Sequence, residues 1–149
     1  MSMIALGCDS AGFALMKEIK GHLSRKGVEY KDFGTFSEDS VDYPLYAEKV
    51  ATAVLSGEAD KGILVCGSGI GISIAANRFV GIRCALVHDV FSAKSTRDHN
   101  DSNVLALGGW VVGKGHALEI VDTWLATPFS HEERHQRRID MIDSQVKGE

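Results

Sequence analysis

No apolar run in the chain reaches the length of a membrane span, so an integral membrane helix is not expected. The opening Met1–Gly7 lacks a charged stretch followed by a long apolar one, so a signal peptide is not expected either. The three cysteines, Cys8, Cys66 and Cys84, form no motif spacing, and each sits in or beside a short apolar run. That excludes a disulfide framework as the organising device and makes a reducing, cytoplasmic setting the default. No spacing among His22, His88, His99, His116, His131 and His135 matches a metal site, so metal dependence is not expected, and no other cofactor is assigned. An excess of positive charge is missing too. Sixteen Lys and Arg against twenty Asp and Glu give a net charge of −4, with no global pull toward nucleic acid or a membrane surface. There is no internal repeat, low-complexity tract or linker, so residues 1–149 read as one domain.

What is present is a regular alternation of short β-like runs and longer helical ones. Strands are expected over Ile4–Cys8, Val28–Phe33, Ile63–Cys66, Arg83–Val87 and Val104–Leu107. Helices are expected over Ala11–Lys26, Tyr43–Ser56, Gly71–Asn77, Val90–His99, His116–Ala126 and Glu132–Ser144. Strand–helix alternation of this kind implies a βαβ series, hence an α/β fold: a Rossmann-like three-layer α/β/α domain around a five-stranded parallel sheet. Such folds bind ligands beyond the carboxyl ends of their strands. The residues at those ends are Cys8-Asp9-Ser10, Cys66-Gly67-Ser68, His88-Asp89 and Leu107-Gly108-Gly109.

Four constellations carry chemistry. In the first, an apolar strand ends in Cys66 and runs into Gly67, Ser68, Gly69 and Gly71 before a small-residue helix. Glycines allow a sharp turn and close approach of backbone to ligand. The helix start leaves free N–H groups that favour an oxyanion and a thiolate. A buried strand cysteine is the plain alternative, which the adjoining glycine loop outweighs. A dinucleotide fingerprint fits poorly, because Ile72 stands where the last glycine belongs. The second constellation, Arg97-Asp98-His99-Asn100-Asp101, offers His99 to move a proton and Asn100 to bind an oxygen. A polar helix end capped by asparagine is the other reading. In the third, His131, Arg134, His135 and Arg138 fall on one helical face, suited to an anion, while Arg137 points elsewhere. A solvated, salt-bridged helix is its alternative. In the fourth, Asp9 follows the first strand and reads most simply as an N-cap. Tyr43, before Pro44 at another helix start, lines a pocket or merely packs.

Taken together, Gly-Cys-Asp-x-Ala-Gly-Phe (7–13), Asp-Tyr-Pro (42–44), Cys-Gly-Ser-Gly-Ile-Gly-Ile-Ser-Ile-Ala-Ala-Asn (66–77), Gly-Ile-Arg (81–83), Arg-Asp-His-Asn-Asp-Ser-Asn (97–103) and Arg-His-Gln-Arg-Arg (134–138) resemble the B-type ribose-5-phosphate isomerases. Galactose-6-phosphate and allose-6-phosphate isomerases share that scaffold. The resemblance spans essentially the whole chain. It implies a metal-independent aldose–ketose isomerase of the pentose phosphate pathway, converting ribose 5-phosphate to ribulose 5-phosphate through a cis-enediolate. It also implies a homodimer or dimer of dimers with active sites shared between subunits.

Carried onto this sequence, the resemblance makes Cys66 the base. Another branch of the family uses a glutamate at the position of Ile72 instead. Ser68 and the backbone of Gly67, Gly69 and Gly71 would hold the enediolate. His99, aided by Asp9, would open the sugar ring. Asn100 would bind a substrate oxygen, Arg134 and Arg138 the phosphate, and Tyr43 and Ser10 would line the pocket. The pattern departs at two positions: histidine is usual where Ser10 stands, and arginine where Trp110 stands. That opens two other readings. One is an isomerase of another sugar, such as a tetrose or hexose phosphate, allose 6-phosphate or an unphosphorylated sugar. The other is a non-catalytic sugar-phosphate binding protein.

Overall fold

The computed structural model describes residues 2–145. Its elements follow the order β1 (Met3–Cys8), α1 (Phe13–Arg25), β2 (Glu29–Asp32), α2 (Tyr43–Leu55), β3 (Lys61–Cys66), α3 (Ile70–Ala76), β4 (Cys84–Leu86), α4 (Val90–Asn100), β5 (Val104–Gly108), α5 (Lys114–Ala126) and α6 (Glu133–Gln145). The strands form one five-stranded sheet in the order β2-β1-β3-β5-β4, with every pairing parallel. The expected α/β architecture is therefore present. Strand order reverses direction between β1 and β3, which puts the ends of those two strands at the crevice where such sheets bind ligands.

The central strands are apolar on both faces, and the pleat sends alternate residues to opposite sides. Ile4, Leu6 and Cys8 of β1, Ile63 and Val65 of β3, and Leu105 and Leu107 of β5 pack against Met16, Ile19 and Leu23 of α1 and Ile120, Val121 and Trp124 of α5. Ala5, Leu64, Cys66, Val104 and Ala106 meet Ala47, Val50 and Ala51 of α2 and Ile72 and Ala76 of α3 on the other face. Small side chains on this second face let α2 lie close: an added Cβ at Gly62 would meet Val50 at 2.4 Å. α6 lies outside these layers, against α4.

Boundaries differ from expectation where a loop feature competes with helix propensity. α1 begins at Phe13 rather than Ala11, because the Gly12 amide donates to Asp9 Oδ1 at 3.0 Å and closes a turn first. Asp9 is thus not the cap residue; Gly12 holds that position, without a side-chain cap bond. α4 ends on Asp101 in the left-handed region (φ 45°), not on an asparagine cap. α6 begins at Glu133, and His131 precedes it with φ 60°. His131 is therefore off the helical face assigned to it; its ring meets the Phe129 ring edge-on at 5.0 Å. Among the described residues, no helix is long and apolar enough to cross a membrane.

Candidate active site

The carboxyl end of the sheet collects the first half of the expected residues. Cys8 pairs with Val65, and the Asp9 amide donates to the Val65 carbonyl at 3.2 Å, so the turn holding Asp9 and Ser10 lies beside Cys66. Gly12 is where this packing is tightest: a Cβ there would stand 2.3 Å from the Val65 carbonyl oxygen. Cys66 is 4% exposed, and its Sγ accepts the Gly69 amide at 3.2 Å. Gly69 can aim that amide because it sits at φ 79°, in the left-handed region, with Leu86 and the Leu107 backbone filling the space a side chain would need. The Ser68 hydroxyl takes the Ile70 amide at 3.1 Å. The Gly71 and Ile72 amides precede the first bond of α3, which Ser73 makes to the Gly69 carbonyl. Ile72 itself is fully buried.

Two aromatic rings border this loop. Tyr43, at the start of α2, lies against Gly71, and the Trp110 ring covers Gly67. Trp110 is held by its own amide, which donates to the Gly67 carbonyl at 2.9 Å, while the Gly109 amide donates to the Cys66 carbonyl at 2.8 Å. The other two thiols sit in different surroundings. Burial, with the nearby Asp32 charge, pushes Cys8 up to about 12, and burial pushes Cys84 up to about 12. Neither is poised to act as a base near neutral pH.

The second half collects elsewhere. His99, Asn100, Arg134 and Arg138 line one cavity of about 340 Å³ with His135, Ile139 and Ile142. The His99 and His135 rings lie 4.3 Å apart, and His99 Nδ1 is within 3.3 Å of the Ser95 hydroxyl. His135 is buried and bonded to the Ser130 hydroxyl at 2.8 Å. Burial, with the Arg134 and His99 charges, holds it below the usual histidine range. It supports His99 from beneath and adds no cation, which corrects the four-cation face expected of this helix. Arg134 pairs with Glu132, and Arg137 turns away to Glu133 at 2.6 Å.

Two arginines that the sequence pattern did not single out set the position of this second half. Arg97 is 6% exposed and ties α4 down through Thr127 O, Ser102 O and the Asp101 carboxylate. Arg83 donates to Asn100 O and Asp101 O and pairs with Asp143 of α6 at 3.0 Å. Only the Gly-Ile-Arg motif at 81–83 hinted at Arg83. The run 97–101 contained Arg97 without distinguishing it from its exposed neighbours.

The two halves stand at opposite ends of the sheet. Cys66 pairs with Gly108 at the end of β5, whereas His99 and Asn100 precede Val104 at its start. Val104 pairs with Gly62, four residues before Cys66, so the halves are separated by roughly 13 Å or more along the strands.

The ribose/galactose isomerase family model matches residues 4–142. The chain belongs to that family. Ribose-5-phosphate isomerase B of Escherichia coli is 52% identical to the isomerase over 142 residues, covering 95% of each chain. The solved ribose-5-phosphate isomerase B of Clostridium thermocellum superposes with a TM-score of 0.94 at 49% identity, covering 96% of both chains. The type B enzyme of Trypanosoma brucei gives 0.95 at 44% identity, covering 98% of this isomerase and 99% of that chain.

Proposed function

We propose that this isomerase interconverts ribose 5-phosphate and ribulose 5-phosphate, with residues 1–149 as one sugar-phosphate isomerase domain and Cys66 as the base. The Cys66 thiolate removes the C2 proton of the opened aldose and returns it to C1. The hydroxyl proton moves from O2 to O1, with Ser68 as its carrier. The negative charge that develops on oxygen meets the amides of the 67–71 loop, which are fixed before the reaction begins. His99 passes the proton that opens the ring, Asp9 assists it, and Asn100 holds a sugar oxygen. Arg134 and Arg138 take the phosphate. No step is assigned to a metal or cofactor, and neither nucleic acid nor a membrane enters the reading. Three free thiols suit a reducing cytoplasm.

The observation that carries the reading is that Cys66 and its glycine loop lie at one end of the sheet, while His99, Asn100, Arg134 and Arg138 line a cavity at the other. One chain cannot bring both to a five-carbon sugar. A second copy, arranged about a two-fold axis, supplies the missing half to each site. The working unit is therefore a homodimer, alone or within a dimer of dimers.

Mixing variants tests this. Cys66→Ala and His99→Asn, each alone, are expected to lose about 10²- to 10⁴-fold in kcat, the usual worth of a positioned acid or base. Co-expressed in equal amounts, they are expected to recover about a quarter of wild-type activity, because half the dimers are mixed and each of those carries one intact site. A mixture as inactive as its components would defeat the shared site, and full activity of Cys66→Ala would defeat the base. A second reading has its own support: Trp110, 79% exposed and uncharged, covers Gly67, and Ser10 lies in the turn beside it. Under that reading, tetrose, hexose and unphosphorylated sugars outrun ribose 5-phosphate when the panel is compared by kcat/KM.

A further inference from the structure

β4 is the short edge strand of the sheet and ends at Leu86. Its backbone still reaches β5 one residue later, where the Val87 amide donates to the Ala106 carbonyl. At Gly108 the acceptor is a side chain instead: the Gly108 amide donates to His88 Nε2 at 3.0 Å. An amide can only donate, so Nε2 must carry a lone pair and the proton must sit on Nδ1. The ring therefore acts as a final rung of the ladder in its neutral form alone.

That rung anchors a strap of backbone. The Gly108 carbonyl accepts the Val111 and Val112 amides, closing a turn. Within this turn the Gly109 and Trp110 amides donate to the carbonyls of Cys66 and Gly67. Gly108 also packs so closely on the Ser68 backbone that a Cβ would stand 2.6 Å from the Ser68 oxygen. The carbonyls of the loop bearing the base are thus held by a strap whose far end hangs on His88.

We propose that His88 is a positioning residue for the isomerisation. By accepting the Gly108 amide through its neutral ring, it keeps residues 108–112 seated on the Cys66–Ser68 loop, and its protonation unseats them. The proposal rests on the isomerase reading of Cys66. Protonation would set an N–H against the Gly108 N–H and leave that amide without an acceptor. Asp89, adjoining His88 at the start of α4, draws a proton toward the ring, although its carboxylate is already taken by the Ser92 amide and hydroxyl. His116 of α5 opposes protonation, and β5 presents only backbone at this contact. Burial of the ring also opposes it and is the largest of these influences, so it favours the neutral form that the Gly108 bond requires. The strap holds the loop bearing Cys66 and carries neither Arg134 nor Arg138, so unseating it is expected to lower kcat more than it raises KM.

Two measurements on the full-length protein test the proposal. The first follows the Gly108 amide and the His88 ring nitrogens by ¹⁵N NMR as pH is lowered. Both are expected to shift with one midpoint, and the Gly108 shift is expected to vanish in His88→Gln, whose carbonyl accepts the amide without titrating. The second compares pH profiles of kcat with ribose 5-phosphate. His88→Gln retains most of the alkaline kcat and loses the part of the acid fall whose midpoint matches His88. His88→Leu is lower at every pH by about tenfold or more, the scale of a small misplacement of the base, with a smaller change in KM. A Gly108 amide indifferent to the His88 titration overturns the proposal, as does a His88→Gln profile identical to wild type. The amide titration needs no substrate, so it separates failure of this device from failure of the assigned reaction. It also keeps the test decisive if His88→Leu does not fold.

Discussion

Gly12 is fixed by crowding rather than by torsion: its φ is −91°, open to any residue, yet a Cβ would press on the Val65 carbonyl. That carbonyl belongs to the residue before Cys66. Gly12→Ala is expected to cost about 1–3 kcal/mol of stability, read from denaturant unfolding, as overpacking at rigid backbone does. It is also expected to lower kcat more than it raises KM. An unchanged unfolding midpoint would show that the β1–α1 turn yields more readily than its contacts suggest. At this scale the sequence was readable where chemistry is local. Cys66 and its glycine loop sit within a few residues of a strand end. Arg97 and His88 were not readable, because their partners lie across the fold: Thr127 for one and the Gly108 amide for the other. His135 was misread for a related reason, since periodicity gives its face but not the burial that keeps it neutral.

Among the elements, α6 carries Arg134 and Arg138, the two arginines proposed to take the phosphate. Each arginine that meets a phosphate contributes on the order of 1.5–3 kcal/mol through charge-assisted hydrogen bonds. Replacing Arg134 and Arg138 together by Ala is expected to raise KM for ribose 5-phosphate by at least about tenfold. Circular dichroism and activity on unphosphorylated ribose should not change. An equal loss on both sugars would assign the arginines to folding or assembly instead. The helices themselves were legible from apolar spacing and the strands from short apolar runs. Their ends were less so, because caps compete: the Asp9–Gly12 turn delays α1, and His131 stays outside α6.

For the molecule as a whole, alternation of strands and helices indicated a parallel sheet but not its order. Placing β5 between β3 and β4 depends on contacts far apart in sequence, and only that order sets Gly108 beside Cys66. Its separation of the two half-sites was likewise hidden from motif reading. Stability of the whole fold should also depend on pH. His88 and His135 are both held below the ordinary histidine value of 6.5, chiefly by burial. Their neutral forms favour the folded state above that value, and the benefit is lost as pH falls through their lowered values. Asp89, held low by its Ser92 bonds, begins below the carboxylate value of 3.8 and loses its contribution only in stronger acid. Tm is therefore expected to fall between about pH 7 and pH 5, and less steeply in a His88→Gln, His135→Gln double variant. A flat profile in the wild type would contradict this.

The indole of Trp110 stands over Gly67 in water, whereas that of Trp124 is buried with its N–H bonded to Ser102 at 2.9 Å. One emits from a wet setting and the other from a dry one. The chain thus carries its own optical reporter: the long-wavelength part of its fluorescence comes from the ring beside Cys66. If sugars enter beside Cys66 as proposed, they are expected to quench or blue-shift that emission even in a variant that turns nothing over.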